Sequence, residues 1–162
     1  MILSDLIWAG LAGLTGGIIM TVSEYPFWKK WGMEGVSEWQ VNWVMMTWFN
    51  SKWKSRQQPI LSWTIASHIF HGVLVGIALR LVLPVVIIVL PVTKISTILD
   101  AVVLAVALWF FITYSGRKRF EVPGKIRITN RGLLVGLLSG IIFGIVLGLL
   151  LSVFPDSYAS LP

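Results

Sequence analysis

Four stretches of the chain are nearly unbroken hydrocarbon, and the charged residues gather between them. The apolar runs cover residues 5–25 (DLIWAGLAGLTGGIIMTVSEY), 60–83, 95–114 and 132–154 (GLLVGLLSGIIFGIVLGLLLSVF). Each can cross a hydrocarbon layer of roughly 30 Å as a helix, which takes about 20 residues. The apolar segment 84–92 (PVVIIVLPV) is too short for that; it either extends the second helix past Pro84 or rests at the interface. The pattern predicts an all-α integral membrane protein: one domain, residues 1–162, folded as a four-transmembrane-helix bundle. The first run has neither a basic stretch ahead of it nor a small-residue cleavage pattern behind it, so it reads as a retained helix.

The longest segment between runs, residues 26–59, carries six tryptophans: Trp28, Trp31, Trp39, Trp43, Trp48 and Trp53. Ser37 and Gln40 have the S-x-x-Q spacing of a capping box, so a helix starts there. On that helix Gln40, Thr47, Ser51 and Lys54 form a thin polar stripe, and aromatic and aliphatic residues fill most of the remainder. This predicts an amphipathic helix lying flat in the membrane interface or under a partner, with the six tryptophans as interfacial anchors. Glu38 and Asn42 stand one turn apart, away from the stripe, and are expected to face the bundle.

The second and fourth runs align without gaps at an offset of 72. Ser67–Ile77 (SHIFHGVLVGI) matches Ser139–Leu149 (SGIIFGIVLGL), pairing Gly72 with Gly144 and Gly76 with Gly148. With Asp5 and Asp100 near the starts of the first and third runs, the chain reads as a possible tandem repeat of two-helix hairpins. Gly132, Gly136, Gly140, Gly144 and Gly148 recur every four residues. With Gly72 and Gly76 they predict close helix packing, a partner interface, or both, because small residues four apart let backbones approach.

Composition narrows the chemistry. Hydrophobic residues make up 56% of the chain and charged residues 12%, half the share of an ordinary soluble domain. The absence of cysteine excludes disulfides, thiolate metal sites and cysteine nucleophiles. The net charge of +6 is explained by topology, since eleven of the 13 basic residues lie in the loops 26–59 and 115–131. Four crossings put those two loops on one side. The positive-inside rule then places them in the cytoplasm and both termini outside, in the cell membrane, in contact with anionic lipids and not with nucleic acid.

Ionisable residues inside a span are candidate functional sites. They are Glu24 at the inner end of the first run, Arg80 and Asp100 near the outer rim, and His68 and His71 in the middle of the second. Asp100 is expected to pair with Arg80 or Lys94. Glu24 is expected about 10 Å from the His68 layer, counting 1.5 Å of rise per residue. The two histidines, three apart on one helix face, have the residue type and spacing to ligate copper, zinc or, with a second helix, haem; the alternatives are hydrogen bonds between helices or a proton relay. No metalloprotease, serine hydrolase or phosphate-loop motif occurs, so catalysis is not expected. The leading expectation is a non-catalytic accessory subunit of a larger membrane complex of respiratory or membrane-monooxygenase type, in contact with other subunits, with copies of itself and with bound lipids. The alternatives are a small homo-oligomeric channel or transporter, and a metal- or haem-binding redox subunit using His68 and His71.

Overall fold

The computed structural model describes residues 3–49, 61–86, 94–121 and 127–153, and every element among them is helical. Helix α1 runs Leu3–Trp31, followed by a 3-10 turn at Gly32–Gly35 and by α2, Ser37–Phe49. Then come α3 (Leu61–Val86) and α4 (Lys94–Leu108), the latter continuing as a π-helical turn through Trp109–Tyr114. A short α5, Arg117–Phe120, precedes α6, Asn130–Ser152. Four helices are long and apolar enough to cross a membrane: Leu3–Gly35, Leu61–Val82, Ile95–Tyr114 and Asn130–Ser152. Their outward residues are apolar. Leu3, Ile95, Val103 and Phe111 are each at least 65% exposed, which suits hydrocarbon better than water and suggests a multi-pass membrane protein.

The helices form an open arc rather than a closed ring. In the apolar windows of α1 and α6, 44% and 50% of residues are buried, against 28% and 17% in α3 and α4. Helices α1 and α6 are therefore the spine, with α3 packed on α1 and α4 on α6, while α3 and α4 barely touch. Glycines set both close crossings. A Cβ built on Gly72 would lie 2.6 Å from the Gly13 carbonyl oxygen, and one on Gly144 would lie 2.6 Å from Val102 Cα. Along the spine Phe143 fills the space beside Gly16, and Trp8 Nε1 donates to the Leu150 carbonyl at 3.3 Å.

Three local features depart from the sequence pattern. Helix α1 does not stop at Tyr25 but runs through Pro26 to Trp31, giving up one backbone hydrogen bond. Its extra turn is held by aromatic contacts, Phe27 on Trp31 and Trp28 on Trp39. Gly32, at φ +64°, then reverses the chain toward α2. At the head of α6, Thr129 accepts the Gly132 N–H at 3.1 Å and donates to the Glu34 carbonyl at 2.8 Å, so the cap of α6 also anchors the approach to α2.

Helix α2 turns much of its expected lipid-facing surface into the protein. Trp39 and Trp43 are buried, and so are Gln40 and Thr47, the described half of the expected polar stripe. Val41, Trp43 and Val44 form a second core with Phe120, Ile128 and Leu133. The capping-box side chains are spent between helices: Ser37 donates to the Gly132 carbonyl at 2.9 Å and Gln40 Nε2 to the Arg127 carbonyl at 3.3 Å. An aromatic face fits a protein interior as well as it fits lipid headgroups, and here the interior holds it. Trp48 remains exposed, Trp28 and Trp31 are partly exposed, and Trp53, Ser51 and Lys54 lie outside the described residues.

Candidate functional site

The wedge of α2 brings its polar residues against the middle of α1, α3 and α6. Glu24, fully buried on α1, is the hub. Trp39 Nε1 on α2 donates to Glu24 Oε2 at 2.6 Å, and Ser139 Oγ on α6 donates to Oε1 at 2.6 Å. His68 Nε2 on α3 stands 3.4 Å from Glu24 Oε2. The Asn42 amide nitrogen on α2 donates to His68 Nδ1 at 2.9 Å, which leaves the ring proton on Nε2, the atom facing Glu24. One carboxyl group thus hydrogen-bonds α2 and α6 to α1 and stands beside α3.

Glu24 joins the histidine layer although residue counting put it about 10 Å away. Gly17 rests on Ile69 and Gly72, so Glu24, two turns further along α1, is about one turn of rise from His68, and the two long side chains close that gap. Near the other end of the bundle Arg80 does not pair with Asp100. Its partner is Asp5, with Nη2 to Oδ2 at 3.0 Å, because α1 lies directly beside α3 while α4, which carries Asp100, stands on the far flank.

Beside this network, where α3 and α4 stand apart, is a cavity of about 160 Å³. Most of its wall is apolar, from Met20, Val75, Ala105 and Phe143 among others, and the polar residues lining it are Glu38, Asn42, His68, His71 and Thr113, with the indole of Trp109. Glu38, His68 and Trp109 each also hold one polar atom without a hydrogen-bond partner, Oε1, Nε2 and Nε1, buried behind the wall; His68 Nε2 is turned toward Glu24. Buried polar atoms are nearly always paired, so these three are exceptions in the packing around the site. Comparison with family models, curated proteins and solved structures finds no match. The chemistry of the cavity wall therefore carries the functional argument.

The glycine stripe divides at this cavity. Gly132 and Gly136 lie against the approach to α2 and against Glu38, and Gly144 and Gly148 lie against α4. Gly140, in the middle, has nothing within 4 Å of where its Cβ would be, and it lines the cavity. Gly72 and Gly76 are taken up by α1. The packed glycines of the stripe serve helix contacts inside this chain.

The histidines have separate duties. His71 Nδ1–H donates to the Ser67 carbonyl at 3.1 Å, one turn back on its own helix, which leaves Nε2 as the acceptor of that ring. His68 uses one nitrogen for Asn42 and aims the other at Glu24. Among the described residues no three His, Asp or Glu side chains group closely enough to hold a metal ion. The cavity is near the size that encloses one benzene-sized molecule, about 150 Å³, and far short of a porphyrin. Copper, zinc and haem thus lack a complete ligand set at His68 and His71 in the described structure.

Glu38, Asn42, Trp39 and Ser139 complete the site beyond the ionisable residues that stood out by depth. Glu38 and Asn42 were legible from their separation from the polar stripe. Trp109 and Thr113 carried no such signal; the π-helical turn, closed by Ser115 N–H on the Phe110 carbonyl at 2.8 Å, shifts the register of α4 where they reach the cavity.

Burial pushes the Glu38 carboxyl up to about 7 from an ordinary 4.5, while hydrogen bonds from Ser37 and from its own backbone pull less strongly the other way. The other titratable groups around it are Glu24 from α1 and His68 and His71 from α3; α6 and the π-helical turn contribute only Ser139, Thr113 and Trp109. Between about pH 4.5 and 7 the folded carboxyl keeps a proton that the unfolded one has lost, so stability falls as pH rises through that window and is level on either side. Unfolding by sodium dodecyl sulfate in mixed micelles, repeated from pH 4 to 8, is expected to show this decline. Glu38→Gln is expected to flatten it; an unchanged slope in that variant would remove Glu38 as its source.

Proposed function

We propose that this chain is a multi-pass protein of the cytoplasmic membrane that holds a small lipophilic molecule by its polar head, without acting chemically on it. The observation that carries the reading is one apolar-walled cavity on which a few polar residues, Glu38, Asn42, His68, His71 and Trp109, converge. A pocket with mostly apolar walls and a few convergent polar groups is the usual form of a small-molecule site. Its position between the separated α3 and α4 favours entry from the hydrocarbon. Intramembrane carboxylates and imidazoles are costly and persist where they serve a ligand or a proton path. In this reading the two basic loops face the cytoplasm against anionic lipid, and the termini face outward. Gly72 with Gly144, and Gly76 with Gly148, each meet the first helix of their own hairpin, which supports a tandem duplication in which one copy gained the polar layer.

The test is a cavity-filling variant. Toluene titrated into the purified protein in nanodiscs of one synthetic lipid is expected to quench tryptophan fluorescence saturably. Gly140→Leu, built where no atom stands within 4 Å, is expected to abolish saturation while keeping the unfolding midpoint. Identical, non-saturating partition into both proteins would sink the reading.

A second reading, a non-catalytic accessory subunit of a larger membrane assembly, is favoured by the poor coverage of α4, whose window is 17% buried. That flank offers Leu99, Val103 and Phe111 to a neighbouring helix. Extraction of native membranes in mild detergent would then bring other subunits with the chain, and a chain migrating alone would weigh against it. The channel reading and the redox-subunit reading find no comparable support in the geometry.

A further inference from the structure

Three spans have ends that meet around a second hollow, of about 730 Å³, which shares no residue with the cavity beside the histidines. Glu34 lies at the end of the span Leu3–Gly35, Arg117 follows the span Ile95–Tyr114, and Asn130 opens the span Asn130–Ser152. The hollow therefore stands at the level where these helices leave the hydrocarbon. Aromatic and cationic side chains mark that level, as they do in a headgroup layer. Tyr114 is exposed, and Lys30 and Arg131 stand over the Trp31 ring at 5.2 and 5.8 Å.

Three cations line the hollow, Arg117, Lys118 and Arg127, with two carboxylates, Glu34 and Glu121. Among the described residues no ion pair joins any of them. The backbone that carries them is nonetheless fixed. Phe120 and Ile128, interleaved with these charges in the sequence, are buried in the core that α2 shares with α6. The Arg127 carbonyl accepts from Gln40 Nε2 at 3.3 Å, the Glu34 carbonyl from Thr129 Oγ1 at 2.8 Å, and the Arg117 carbonyl from the Glu121 N–H at 3.1 Å. Anchored walls with unpaired charges suit a ligand. Guanidinium groups grip phosphate through paired N–H donors. Three cations against two carboxylates leave one net positive charge, which a monoanionic phosphodiester neutralises. The carboxylates only accept, so they need donors from the ligand. Headgroup hydroxyls supply them, whereas the quaternary ammonium of choline has no N–H to give. Below the hollow the last turns of α4 expose Phe110, Phe111 and Ile112, an apolar surface for acyl chains. Basic pockets between transmembrane helices are a recurring form of anionic-headgroup site. We propose that this hollow binds the headgroup of an anionic phospholipid, a phosphodiester carrying hydroxyls, with Arg117, Lys118 and Arg127 on the phosphate and Glu34 and Glu121 on the hydroxyls. The assignment rests on the membrane placement of the proposed function and not on its ligand cavity.

Native mass spectrometry of the full chain in dodecyl maltoside tests it, with phosphatidylglycerol and phosphatidylcholine of identical chains added in equal amounts. The parent protein is expected to retain phosphatidylglycerol at least about tenfold more than phosphatidylcholine, since each cation near an anionic headgroup is worth about fivefold. Arg117→Gln with Arg127→Gln is expected to bring the two lipids within about twofold of each other, and Lys118→Gln alone to lower the preference about threefold. Lys29→Gln with Lys30→Gln makes the same change in net charge outside the hollow and is expected to keep the preference. Equal retention of both lipids by the parent would overturn the proposal. So would an equal loss in the two paired variants, which would reduce the preference to diffuse surface charge. Glycerophosphoglycerol, the same headgroup without chains, is expected to give no saturable heat in calorimetry; saturable binding that displaces phosphatidylglycerol would overturn the lipid assignment in favour of a soluble phosphodiester. Saturation by toluene is expected to be the same in every variant, so the hollow and the ligand cavity fail separately.

Discussion

Glu24→Ala is expected to be the most damaging single substitution in the bundle, costing about 3 kcal/mol. Two effects oppose each other. Removing a buried carboxylate returns the free energy spent in stripping its water. It also strands Trp39 N–H and takes from Ser139 O–H the nearer of its two acceptors, on two separate helices and both deep in the protein. An unsatisfied buried donor costs about 1–3 kcal/mol, and a void lined by polar atoms adds to it, so the loss exceeds the gain. Glu24→Gln keeps one acceptor oxygen and the volume, and is expected to lose about 1 kcal/mol. Unfolding by sodium dodecyl sulfate in mixed micelles, followed by far-ultraviolet circular dichroism, measures both. Glu24→Ala as stable as the parent protein would show that the hub holds nothing together.

The second large effect contrasts two glycines to which the sequence assigns the same use, close helix packing. Gly72→Ala places a Cβ 2.6 Å from the Gly13 carbonyl oxygen and 3.2 Å from Gly17 Cα, so α1 and α3 must part along the crossing. Backbone has no rotamer by which to yield, and the expected cost is about 2 kcal/mol, at the upper part of the usual overpacking range. Gly140→Ala enters open space and is expected to be neutral, or slightly stabilising, because alanine is the better helix former by up to about 1 kcal/mol. The same micelle titration separates them. Equal midpoints for the two variants would refute the close α1–α3 crossing.

That contrast marks the limit of what is legible before folding. The four spans follow from hydropathy, and the structure contains four helices long and apolar enough to cross a membrane. Five glycines at intervals of four announce a groove, but only the folded chain distinguishes Gly136, pressed on Glu38, from Gly140, which faces a hollow. A depth count along each helix axis separated Glu24 from His68. It ignored the reach of a glutamate and an imidazole directed toward one another. Trp39 and Trp43 announced an interface helix because an indole suits both a headgroup layer and a packed interior, and nothing local decides between them. Arg80 announced a partner, and the order of helices around the arc selected Asp5 over Asp100. In each case the residue type was informative and the neighbour was not, since neighbours depend on contacts between residues far apart in the chain.

The open arc has a mechanical meaning. Among the described residues the two flanks are joined through the α1–α6 seam and also through α2, which packs against α3, against α6 and against the π-helical turn that ends α4. Seam contacts such as Phe143 beside Gly16 and Trp8 on the Leu150 carbonyl hold the central pair together. Helix α2 is thus a strap across the gap between α3 and α4, and the flanks cannot part at that end without breaking its contacts, the Asn42–His68 hydrogen bond among them.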